Sequence, residues 1–110
     1  MDHAAPFPFE HWERFECNLS PRTLRATLGG TYAAWDRDGL GPWTGLSAIV
    51  QGHKVAILAP AHLPDAGASI WCAPGLAPAH VARAIRTRHG AVALFMQPNG
   101  APLAAAGEQA

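Results

Sequence analysis

Two residue types in this chain could carry covalent or proton-transfer chemistry: the cysteines, Cys17 and Cys72, and six histidines. A cysteine nucleophile works as the thiolate, which a neighbouring base or a helix N-terminus must stabilise. Cys72 ends an apolar run six residues before a helix-forming segment, and His62 and His80 are the bases that could approach it. Its surroundings, Trp71-Cys72-Ala73-Pro74-Gly75, match no cysteine-enzyme signature. In an alternating strand Cys72 shares a face with Ile70, which makes it a small apolar group suited to burial. Cys72 with His62 is thus the catalytic pair to test, and a buried thiol is the expected outcome.

Other chemistries find less support. Structural zinc needs closely spaced ligand pairs, and no C-x-x-C, H-x-x-x-H or H-E-x-x-H occurs, so neither metal nor cofactor is expected. The run Gly39-Leu40-Gly41-Pro42-Trp43-Thr44-Gly45 invites a phosphate reading. A phosphate cradle must follow a strand and open a helix, whereas this run follows a helical pattern and precedes a strand pattern. Asp36, Asp38 and Asp65 sit in turn contexts where Asp is ordinary. Arg83 and Arg86, three apart on one helix face with Arg88 following, are the candidate anion-binding residues. The net charge of zero gives no general attraction to nucleic acid or membrane, so a solvated face is expected there.

The elements that would position these residues centre on Leu46 to Ala59, which reads as a β-hairpin about a Gly52-His53 turn. In that register Val50 faces Val55 and Ala48 faces Ile57, and one face carries Leu46, Ala48, Val50, Val55, Ile57 and Ala59. The other face mixes Ser47, Ile49, Gln51, Lys54, Ala56 and Leu58. The wholly apolar face must be covered, and helices on either side in the sequence are the natural covers. Ser20 and Pro21 open the first helix, whose stripe is Leu24, Leu28, Tyr32 (or Thr31) and Trp35. Gly29-Gly30 inside it marks a kink or a close approach. A second helix spans Pro78 to His89 and stops at Gly90. Ala68 to Ala73 and Ala91 to Gln97 read as strands, the latter apolar on both faces. A short extra helix fits Glu10 to Cys17, and Pro6-Phe7-Pro8-Phe9 can lay two rings on a surface.

The expected fold is an α+β two-layer sandwich, element order α-β-β-β-α-β, with a mostly antiparallel four-stranded sheet and two helices on one face. A single domain covers residues 1–97, with residues 1–9 as an arm and 98–110 as a turn and frayed tail. Nothing resembles a signal peptide or a membrane span, so a cytoplasmic protein with reduced thiols is expected. At 110 residues, 49% hydrophobic, 15% charged and net neutral, the chain lacks the self-repulsion that opposes association. The first functional reading is a non-enzymatic protein–protein interaction or accessory module, as a homodimer or with a protein partner, using Trp43, Trp71, Ile49 and Leu58. The alternative is a small-molecule-binding domain or cysteine-dependent enzyme with a pocket near Cys72 and His62.

Overall fold

The computed structural model describes residues 5–6, 9, 11–37 and 41–107. In chain order it contains β1 (Ala5–Pro6), β2 (Glu13–Cys17), α1 (Pro21–Leu28), β3 (Thr31–Arg37), β4 (Gly41–Val50), β5 (His53–Pro60), β6 (Ala68–Cys72), α2 (Pro78–His89), a 3₁₀ turn (Gly90–Val92) and β7 (Phe95–Met96). One sheet runs β1-β3-β4-β5-β6-β2-β7. Six strands pair antiparallel, and the two-residue β1 adds to β3 in parallel. The class is α+β. The four-stranded sheet expected from the sequence is corrected to a wider one.

The added strands come from segments with conflicting signals. Glu13–Cys17 fits a helix through Trp12, Phe15 and Leu19, yet Phe15 and Cys17 also alternate with Arg14 and Glu16. Pairing of this segment with β6 along its whole length decides for a strand, replacing the short helix expected there; Glu10 itself lies outside the described residues. The first helix ends at Leu28 rather than continuing through Trp35. Gly29 (φ 69°) and Gly30 (φ 102°) both take left-handed backbone, and Gly29 N–H donates to the Arg25 carbonyl. A Cβ on Gly30 would stand 2.6 Å from the Ser47 carbonyl oxygen, so the pair both stops the helix and admits β4. Thr31 to Arg37, rich in β-branched and aromatic types, then forms a strand. The expected loop from Asp36 to Gly45 becomes the ends of β3 and β4, with residues 38–40 outside the description. Gly45 belongs in the strand because a Cβ there would run into the Ile57 carbonyl of β5.

The hairpin turns at Gln51-Gly52, one residue earlier than expected, with φ of 52° and 80° as a type I′ turn requires. Val50 faces His53, Ala48 faces Val55 and Leu46 faces Ile57. The register therefore moves by two residues, and because side chains alternate with period two the face assignments survive. Leu24 of α1 and Val81, Ala82 and Ile85 of α2 bury against Leu46, Ala48, Val55, Ile57, Ile70 and Cys72, so both helices cover that face.

The strand expected over Ala91 to Gln97 shortens to Phe95–Met96, preceded by the 3₁₀ turn. The chain beyond Gln97 folds back. Leu103 N–H donates to the Phe95 carbonyl, Ala106 N–H to the Ala79 carbonyl, and Ala105 is buried. Of the expected N-terminal arm, Ala5–Pro6 pairs with β3 and Phe9 is buried, while residues 1–4, 7 and 8 lie outside the description.

Candidate functional site

The register sends Trp35, Trp43 and Trp71 to the sheet face opposite the helices, and Trp12, just before β2, packs onto the same face. Trp35 pairs with Trp43, Gly45 with Leu58, Ser47 with Ala56 and Ile49 with Lys54. Ala56 in turn pairs with Trp71, Trp71 with Arg14, and Ser69 with Glu16. Paired residues share a face, which fixes this set as one surface. Phe9 and Trp12 fold across its middle. The Phe9 ring stands 4.6 Å from Trp12 and 5.4 Å, edge-on, from Trp35, geometries that favour aromatic pairs. Beneath them Trp35, Ala56, Leu58 and Trp71 are buried as a second core, while Trp12 and Trp43 are half-buried.

A polar ridge crosses this face where β2 meets β6. Arg14 Nε lies 3.4 Å from Glu16 Oε2, the Arg14 guanidinium stands 5.0 Å over the Trp71 ring, and Ser69 Oγ donates to Glu16 Oε1 at 2.7 Å. An open hollow of about 600 Å³ lies by Trp12, Arg14, Trp71, Pro78, Gln97 and Leu103. Another of about 330 Å³ is lined by Glu16, Trp43, Leu58, Pro60, Leu63 and Ser69. Ile49 (61% exposed), Leu63 and Met96 leave large apolar side chains in solvent around the covered centre. Met96 belongs to the same face through its pairing with Glu16.

The four residues expected to make contacts thus lie on one surface, in two states. Trp71 and Leu58 are buried within it, and Trp43 and Ile49 stand at its accessible parts. Sequence reasoning missed Trp12 and Trp35, each drawn into a helical stripe. The Pro-Phe-Pro-Phe run was the available signal: Phe9 does lie on a surface, and Phe7 is outside the description. Arg83 and Arg86 sit elsewhere, on α2. Arg83 is exposed, while Arg86 Nη2 donates to the Ala93 carbonyl at 2.6 Å and stacks 5.0 Å over Phe95.

The structure does not bring Cys72 and His62 together. Cys72 lies beside Val55 near the start of β5, under the helices, and His62 lies in the exposed loop beyond Pro60 at the other end of that strand. Burial, with the Glu13 carboxylate adding to it, pushes the Cys72 thiol up to about 12, so it keeps its proton at neutral pH. Burial raises Cys17 as well. Cys17 pairs with Ala68 and Cys72 with Glu13, four positions apart along one strand pair. That is about 13 Å, beyond disulfide reach. His89 Nε2 is hydrogen-bonded to Thr27 Oγ1 at 2.8 Å. Among the described residues no three His, Cys, Asp or Glu side chains gather as metal ligands, and no helix is long and apolar enough to cross a membrane.

Comparison with protein-family models, curated proteins and solved structures finds no match for this chain.

Proposed function

We propose that this protein is a non-enzymatic interaction module that associates through its tryptophan-bearing sheet face, with a second copy of the chain as partner. The observation that carries the reading is the set of exposed apolar side chains on that face: Leu63 lines an open hollow with half-buried Trp43, and Ile49 and Met96 stand exposed farther out on the same sheet face. Aromatic and Met side chains are enriched at interfaces. The zero net charge removes self-repulsion as an obstacle. Seven strands about 4.8 Å apart make a face about 30 Å across, wide enough for the about 800 Å² per partner of a standard interface.

Sedimentation over a concentration series tests the proposal. Wild type is expected to associate, and Ile49→Asp and Leu63→Asp, both at exposed positions, to sediment as monomers with unchanged melting. A wild type that stays monomeric throughout, or variants that associate as well as it does, contradict the reading. The about 600 Å³ hollow favours a second reading, a small-molecule site, because its volume falls within the range of ligand pockets. An organic ligand retained through gentle purification and lost on Trp12→Ala is the result that reading requires.

A further inference from the structure

The zero net charge conceals a segregated surface. The two helices carry five of the eight Lys and Arg residues and none of the eight Asp and Glu. Arg86 is turned onto Ala93 and Phe95, but Arg22, Arg25, Arg83 and Arg88 are exposed, and none of the four is in an ion pair among the described residues. Asp65 lines a hollow with Arg22 and Tyr32 without pairing. The two cationic helices are joined at their C-terminal ends by the Thr27–His89 bond, which places Arg25 and Arg88 on a continuous layer.

At one end of that layer sits an aromatic ring. Tyr32 is 56% exposed, its ring 4.9 Å from the Arg25 guanidinium, beside an open hollow of about 440 Å³ bordered by Arg22, Arg25, Gly29 and Gly30. Arg25 is held there by donating from Nε to the Gly30 carbonyl at 3.2 Å. Nothing lies within 4 Å of where a Gly29 side chain would begin, so the hollow is open to an incoming group.

We infer that the helix layer binds single-stranded nucleic acid, with the backbone phosphates on Arg22, Arg25, Arg83 and Arg88 and a base stacked on Tyr32. Guanidinium groups suit phosphate, and an exposed ring beside them suits unpaired bases of any sequence. An acidic protein segment would use the cations and leave the ring idle, which makes nucleic acid the better fit. The surface is separate from the tryptophan face and independent of the association proposed there.

Fluorescence anisotropy with a labelled oligothymidine of about 20 nucleotides tests this. With four phosphate contacts the affinity should fall about 50-fold between about 50 and 200 mM salt. Arg22→Ala with Arg25→Ala should about halve the slope of log affinity against log salt. Tyr32→Ala, at an exposed position, should weaken binding about tenfold and leave that slope unchanged. Absence of binding at about 50 mM salt overturns the inference. So does a Tyr32→Ala variant that binds as wild type while polyglutamate competes equally well, because the layer would then serve an acidic protein.

Discussion

Cys72 shows how position decides the chemistry of a side chain. Its neighbours are apolar, and the Glu13 carboxylate paired across from it further disfavours a thiolate. A mild alkylating reagent at neutral pH should therefore leave both thiols unmodified until denaturant is added. Rapid labelling of native protein would show that the core opens around them. Stability should also depend on alkaline pH. Between the ordinary thiol value of 9.0 and about 12 the folded Cys72 keeps its proton while the unfolded one loses it. Its contribution is intact below that window and is lost through it, at about 1.4 kcal/mol per pH unit. Thermal melts from neutral to alkaline pH should show a steeper decline in wild type than in Cys72→Ala. Equal slopes would count against the buried thiol. Adjacent glycines should differ in the same way, by surroundings. Gly30→Ala meets the Ser47 carbonyl and should cost about 2 kcal/mol or more, whereas Gly29→Ala enters open space and should cost about 1 kcal/mol from backbone strain alone. Urea denaturation of the two variants reads the difference.

At the scale of elements, one side chain holds the segment leading into β7. Asn18 Nδ2 donates to the Val92 carbonyl and Asn18 Oδ1 accepts from Leu94 N–H, both at 2.8 Å. Asn18→Ala should lose about 1–2 kcal/mol and speed amide exchange at Leu94 without disturbing β4 or β5. Exchange rates at Leu94 that match wild type would remove the clamp from the account. What could be read from the sequence follows the same local logic. The second helix was legible because Pro78 and Gly90 mark its ends, and Ser20 with Pro21 marked the start of the first. The faces of the hairpin were legible through alternation even though its turn was displaced by one residue, because left-handed Gln51 is invisible to a rule that looks for Gly or Asn. β2 and β3 were not legible. Each is fixed by partners far away in the chain, β6 for one and β4 for the other, and a five- or seven-residue segment with mixed periodicity cannot announce them. The tryptophan face was legible in part for the same reason: Trp43, Trp71, Ile49 and Leu58 lie in segments read as strands or their approaches, and Trp12 and Trp35 in segments read as helix.

On the scale of the whole molecule, the sheet separates two surfaces of different chemistry. One side carries tryptophans and an apolar fringe, and the other carries the guanidinium groups of two helices that contain no carboxylate. The proposed contact between copies uses the first side and leaves the second in solvent. A dimer joined by tryptophan faces would present its cationic layers outward, so association should be insensitive to Arg22→Ala and Arg83→Ala. Native mass spectrometry of untagged protein, purified gently, tests the central claim most directly. The account predicts a mass twice that of the 11.6 kDa chain, returning to a single chain in Ile49→Asp. A wild-type mass of one bare chain at every accessible concentration would contradict it.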